Sequence, residues 1–317
     1  MKKVSIFLII ISLFYWGKTS IAYSAEINDQ QTINIAIFYP QAKEPYRTVY
    51  QEIISGINNA ASKTNLPVKL TEIALTKKFK TSEIITQLEQ KQIKKVIVLG
   101  NSGWRLAKKL PSKFNVISGA LPISPNGVSG ISLITDPAYL FKYLAQVAPQ
   151  VKRIHVAYSK RSTWLIELAK AGAKQQGLEL NLKLVTSTKE AISFYQTLFN
   201  SDVTEQDALW LPLDRISSHD KITLPLILEK AWSKEVVVFS SKPSHAKRGV
   251  LFSTYPDNFA LGKHLFTMVK ELDKQPQQKN FAALKSTLLA VNLRTAAHLG
   301  LKYSAVQQQQ FKLTFPE

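Results

Sequence analysis

The sequence predicts an α/β protein with two parallel sheets, and three observations predict it. Short apolar runs alternate with stretches of helical periodicity, that alternation occurs twice along the chain, and 317 residues suffice for two domains of ordinary size. A hydrophobic content of 45%, with 10% aromatic residues, supplies the cores, and a charged fraction of 20% is that of a globular rather than a disordered chain.

The first series opens with Ile33–Phe38, a nearly continuous apolar run of the kind a strand covered on both faces requires. It leads through Tyr39-Pro40 to Val49, Ile53, Ile57 and Ala60, which share one helical stripe. Val68–Leu75 reads as a strand, Ser82–Gln92 as a helix, and Val96–Leu99 as a short buried strand closed by Gly100-Asn101-Ser102-Gly103. A helix over Trp104–Leu110 stops before Pro111, and Val116–Gly119 and Gly130–Leu133 are further strands.

The second series begins with the strand Arg153–Tyr158 and a helix over Trp164–Gln176 ended by Gly177. Leu178, Leu180, Leu182 and Leu184 alternate onto one face of a strand, and a helix follows at Lys189–Phe199. Strand Ala208–Leu211, a helix near Leu224–Trp232, and strands Val236–Phe239 and Val250–Ser253 complete it. Two such series imply two parallel sheets with right-handed crossovers. The Gln307–Gln310 run reads as surface.

At the N-terminus, Lys2 and Lys3 precede an apolar stretch from Val4 to Trp16 and a small-residue region at Ser20, Ala22, Ser24 and Ala25. That is the layout of an export signal, and the stretch is short of the roughly 20 apolar residues a membrane span needs. Cleavage after Ser24 and after Ala25 both satisfy the small-residue rule. With no cysteine in the chain there is no disulfide framework, thiolate zinc site, Cys nucleophile or lipid-bearing Cys. The expected location is therefore the periplasm, as a soluble protein.

Lys and Arg number 41 against 22 Asp and Glu, a net charge of +19 that falls to +16 without Lys2, Lys3 and Lys18. Such a surplus favours anionic partners. Export argues against nucleic acid, and pairs such as Lys77-Lys78 and Lys247-Arg248 are scattered instead of forming a block interleaved with aromatics.

Catalytic and cofactor signatures are missing. Neither GxxxxGK[ST] nor GxGxxG occurs, and Gly103 directly follows Ser102, which breaks the GxSxG spacing. The five His residues show no metal-ligand spacing, and Ser218-His219-Asp220 reads as a polar loop with a helix cap. No cofactor, metal or enzyme is expected. The sequence instead offers small polar residues where strands end, the edge at which open α/β sheets bind ligands and helix N-termini present free N–H groups. These loops are Tyr39-Pro40, Asn101-Ser102-Gly103, Ala120-Leu121, Ser159-Lys160-Arg161-Ser162, Leu213-Asp214-Arg215 and Ser240-Ser241-Lys242. Helix capping is the alternative role of their Ser and Asn residues.

Four stretches carry a resemblance. Asn292-Leu293-Arg294-Thr295-Ala296-Ala297-His298-Leu299-Gly300 has the form N-L-[KR]-T-A-x-x-L-G, and Tyr255–Gly262 contains a Tyr-x-x-x-G-like return into a helix. Leu211-Pro212-Leu213-Asp214 has the form [VL]-P-x-D, and Val151–Tyr158 has the form K-x-[IV]-x-V-[LA]-Y followed by a polar loop. In their order along the chain they resemble the ABC-transporter substrate-binding family that includes tryptophan- and tyrosine-binding periplasmic proteins. The chain departs from the family at Ile123-Ser124-Pro125, where a Thr-Asp-Pro-like turn is usual, and at Lys160-Arg161 and Arg215, which are more basic than a zwitterionic ligand calls for.

The resemblance implies a type I periplasmic binding protein: two Rossmann-like lobes with parallel sheets joined by a hinge of three crossovers. Residues 1–25 would be the signal, 26–134 plus 255–275 the first lobe, and 135–254 plus 276–317 the second. The interlobe cleft would hold Tyr39, Asn101, Ser102, Gly103, Ala120, Tyr158, Ser159, Arg161, Asp214, Arg215, Ser240 and Tyr255. Ser102 and Gly103 would hold an anionic group, Tyr39 and Tyr158 would pack a flat part, and Asp214 would pair with an amine. Tyr158 and Tyr255 have core packing as their other reading, and Asp214 has capping or pairing with Arg215. The implied ligand is a small molecule: an amino acid, an aromatic compound or a small anion. The implied partner of the monomer is an ABC permease, or alternatively a membrane sensor that transports nothing.

Overall fold

Runs of Ile, Val and Leu without polar alternation make strands that must be covered on both faces, and the chain meets this by returning through a helix after most strands. The computed structural model describes residues 32–272 and 280–316. The expected export signal at 1–25 lies outside the described residues.

The first series is β1 (Ile33–Pro40), α1 (Tyr46–Ser62), β2 (Val68–Leu75), α2 (Thr81–Gln90), β3 (Lys95–Leu99), α3 (Gly100–Ala107), β4 (Asn115–Leu121) and β5 (Ser129–Thr135). The second runs α4 (Pro137–Val147), β6 (Arg153–Tyr158), α5 (Thr163–Gln175), β7 (Glu179–Leu184), α6 (Thr188–Asn200), β8 (Asp207–Leu211), α7 (Thr223–Ser233), β9 (Val237–Ser240), α8 (Ser244–Arg248) and β10 (Phe252–Pro256). The chain then forms α9 (Asn258–Glu271), β11 (Phe281–Leu284), β12 (Thr287–Asn292), α10 (Leu293–His298), α11 (Ala305–Gln309) and β13 (Phe311–Phe315).

One sheet has the order β11-β5-β4-β3-β1-β2 and is parallel throughout. The other has the order β13-β12-β10-β9-β8-β6-β7, parallel except where β12 runs against β10. The chain passes between the sheets three times: after β5, after β10 and between β11 and β12. These crossings are tied side by side. Thr135 and Thr254 share a buried hydroxyl hydrogen bond of 2.9 Å, Asp136 N donates to Leu284 O at 2.8 Å, and Asp257 N donates to Ser286 O at 3.1 Å.

Several elements differ from expectation. Helix α3 begins at Gly100, not Trp104, so Asn101, Ser102 and Gly103 form its first turn. Gly100 makes this abrupt turn with φ +63°, and a Cβ there would lie 2.4 Å from the Tyr50 hydroxyl. Helix α4 is an addition, although Asp136 caps it, Pro137 opens it, and Leu140, Phe141, Leu144 and Val147 form its buried stripe. Strand β11 joins the first sheet, whereas residues 276–317 were all expected in the second lobe.

The second core is organised on fully buried Trp210 of β8, which meets Phe141 of α4 edge-on with ring centroids 5.4 Å apart. At the start of β8, buried Asp207 takes two 2.8 Å bonds from Arg153 and one of 2.8 Å from His155, clamping β6 to β8. In the first core, α1 crosses α9 at two glycines. A Cβ on Gly56 would fall 2.0 Å from Phe259 O, and one on Gly262 would fall 2.0 Å from Ile53 O. Gly56→Ala and Gly262→Ala are each expected to lower unfolding free energy by about 1–3 kcal/mol through overpacking, measured by urea denaturation.

Candidate functional site

Parallel strands end on one edge, and the loops leaving the two sheets meet there. Ser124, after β4, donates its hydroxyl to Arg161 O, after β6, at 3.3 Å. Beside them lies a cavity of about 630 Å³. Pro122 contributes from the first sheet, and Pro212, Leu213, Asp214, Arg215, Ser218, His219, Asp220, Lys221 and Lys242 from the second.

The wall is organised by Asp214, only 6% exposed. Its Oδ2 accepts from Ser159 N at 2.9 Å, Ser159 Oγ at 2.6 Å and Ser162 Oγ at 2.7 Å. Its Oδ1 accepts from Ile216 N at 2.9 Å and Ser217 N at 3.1 Å. The carboxylate thus joins the loop after β6 to the loop after β8. Burial pushes its pKa up, but the hydrogen bonds from Ser159, Ser162 and Ser217 outweigh burial and hold it below the ordinary value of 3.8. Tyr195, fully buried, donates to Ser217 O at 2.8 Å and fixes the far side of the same loop.

A second network supports Lys242. Its ammonium and His245 Nε2, at 3.0 Å, both bond Asp220, and His245 Nδ1 lies 2.8 Å from Ser240 Oγ. Ser240 Oγ also accepts from Lys242 N at 3.0 Å. A serine, a histidine and an aspartate are therefore linked in series, but Ser240 and His245 are 0% exposed, so the hydroxyl offers no approach to a substrate. Burial raises the Asp220 carboxyl, and the bonds from Lys242 and His245 overcome it to bring the value to about 2. Burial depresses His245 below 6.5 despite Asp220.

Of the expected residues, Asp214 and Arg215 line the cavity, and buried Ser159 stands behind Asp214. Arg161 is exposed beside it. Tyr158 and Tyr255 are half-buried against the second core, and Tyr39 against the first. Asn101 is exposed, while Ser102 and Gly103 are buried in the first turn of α3, and none of the three is among the residues that line the cavity. Ala120 is buried at the end of β4 with φ +60°, turning the chain towards Pro122. Lining residues not named as candidates are Pro122, Pro212, Leu213, Ser218, His219, Asp220, Lys221 and Lys242. Leu213 and Lys242 belong to loops already singled out, and Ser218-His219-Asp220 was read as a polar loop. Among the described residues no group of three His, Asp or Glu could hold a metal ion, and no helix is long and apolar enough to cross a membrane.

The family described as ABC transporter substrate binding protein matches residues 122–310, a span that includes every residue of the cavity wall. The chain belongs to this family. No curated protein matches its sequence. Among solved structures, a ligand-free, open substrate-binding protein with adhesive properties from Clostridium difficile is 16% identical, with 89% of this chain and 99% of that chain covered and a TM-score of 0.60. An ABC domain from Streptococcus pneumonia in complex with L-Trp is 20% identical, with 90% of this chain and 100% of that chain covered and a TM-score of 0.51. The fold of this substrate-binding protein is that of the type I periplasmic binding proteins, two Rossmann-like lobes joined by three crossovers.

Asp214→Asn should destabilise the protein by about 3 kcal/mol in chemical denaturation, because the amide nitrogen cannot accept from the buried donors around it. Acidification acts through the second network. Between its folded value and 6.5, unfolding lets His245 bind a proton, so its stabilising contribution is complete above pH 6.5 and declines as pH falls below it. Asp220 adds a further loss between 3.8 and about 2. Denaturation midpoints should fall from pH 7 to pH 5, and His245→Gln should flatten that step.

Proposed function

We propose that this protein is a periplasmic solute-binding subunit that takes a small ligand where the strand-end loops of its two lobes meet, closes on it, and presents it to an ABC importer. The observation that carries the reading is the cavity of about 630 Å³ shared by both lobes in a chain of this family. Its size suits a small solute, and it lies where α/β sheets bind ligands. The lobe boundaries follow the crossings, with residues 32–135, α9 and β11 in the first lobe and α4 to β10 and β12 onward in the second. Three tied crossings suit a hinge, since a bend in a few residues rotates one lobe while each core stays packed. A ligand touching both lobes selects the closed state in proportion to its differential affinity. The N-terminal layout supports export ahead of this role, and the binding unit is a monomer.

Native mass spectrometry of protein isolated from its own cells, paired with small-angle X-ray scattering before and after the solute is stripped, tests this. The expected result is a bound small molecule and a smaller radius of gyration in the loaded form. An empty protein whose scattering no small molecule changes would contradict the proposal.

A further inference from the structure

The acids of the strand-end loops are all engaged. Glu44 accepts from Arg47 and from the Thr48 hydroxyl, each at 2.7 Å, while Asp136 and Asp257 cap α4 and α9. Glu83 and Glu190, in the helical turns that follow, bond Lys80 and Thr186. In the cavity wall, five donors surround Asp214, a carboxylate with about four lone-pair sites. Asp220 spends one oxygen on Lys242 and the other on His245. An incoming ammonium group would have to compete with these donors, and at Asp220 it would meet the Lys242 ammonium already bound there.

The cations differ. Arg215 and Lys221 are exposed in the same wall and make no ion pair with any described residue. Lys160 and Arg161, in the loop held by Asp214, are likewise exposed and unpaired among the described residues. In the first lobe, the loop after β2 carries the exposed Lys77 and Lys78. A guanidinium presents a planar fork that fits a carboxylate through two parallel hydrogen bonds, and a nearby ammonium adds a point charge.

We infer that the solute of this site carries at least one carboxylate or equivalent anionic group and no ammonium group, with Arg215 and Lys221 as its charge-reading residues. This rests on the solute-binding reading above and narrows it. The apolar part of the wall, Pro122, Pro212 and Leu213, faces the remainder of such an acid.

The test uses pairs of probes that differ only by an ammonium group: indole-3-propionate and L-tryptophan, 3-phenylpropionate and L-phenylalanine, glutarate and L-glutamate. Titration calorimetry on the solute-stripped protein should give at least one pair in which the acid binds tenfold or more tightly than the amino acid. Arg215→Ala and Lys221→Ala should each weaken that acid about tenfold, and Arg215→Lys, which keeps the charge but not the fork, should recover only part of that loss, which separates charge recognition from misfolding. An amino acid binding as tightly as its deaminated partner would overturn the inference while leaving solute binding intact. Silence from all six probes would overturn it too, and solute binding itself would fall only if protein from its own cells also carried no small molecule. Undiminished binding by both alanine variants would remove the assigned residues.

Discussion

Two parallel sheets can hold their strand-end loops against one another only if the connections between them are themselves held in register. The Thr135–Thr254 hydroxyl pair, with Asp136 N on Leu284 O and Asp257 N on Ser286 O, does this with three hydrogen bonds at one place. Buried hydroxyls left unpaired cost about 1–3 kcal/mol each, so the pair belongs together or not at all. The crossings set where β5, β10 and β11 stop, and through them where Asp136 and Asp257 begin the helices that return to each lobe. The cavity itself lies between the loop after β4 in one lobe and the loops after β8 and β9 in the other.

Asp214 applies the same logic within the second lobe. The loops after β6 and β8 carry several polar groups and no regular partner, and one carboxylate satisfies five of those donors. That economy shapes the chemistry left over. A carboxylate that fastens loops is not available to read a ligand, and Asp220 already shares its charge with Lys242 and His245. What remains on the wall is cationic. The net charge of +19 thereby gains one local meaning, since part of it stands on the loops that surround the site.

Much of the fold was legible because burial on both faces writes itself as uninterrupted apolar runs. Ile33–Phe38, Val96–Leu99 and Arg153–Tyr158 fall within strands as expected. The miss at α3 has a backbone cause. Helix periodicity starts at Trp104, but the left-handed Gly100 starts the helix a turn earlier, and the conformation of one glycine is not visible in a hydrophobic pattern. Strand β11 is four residues long and exists through pairing with β5, more than 140 residues earlier in the chain. The loops of the site were legible from strand ends, but the roles of their side chains were not. Ser159 and Ser240 are small hydroxyls of the kind a ligand site uses, yet their partners are Asp214, 55 residues away, and His245, inside a buried network.

The central claim is that a solute is gripped by loops of both lobes at once, and amide hydrogen exchange of the stripped protein against the solute-loaded protein tests it most directly. The account predicts slower exchange on loading at residues 121–124 in the first lobe together with 159–162 and 212–221 in the second, with the helices α2 and α6 unchanged. Protection confined to one lobe, or centred away from these loops, would contradict it.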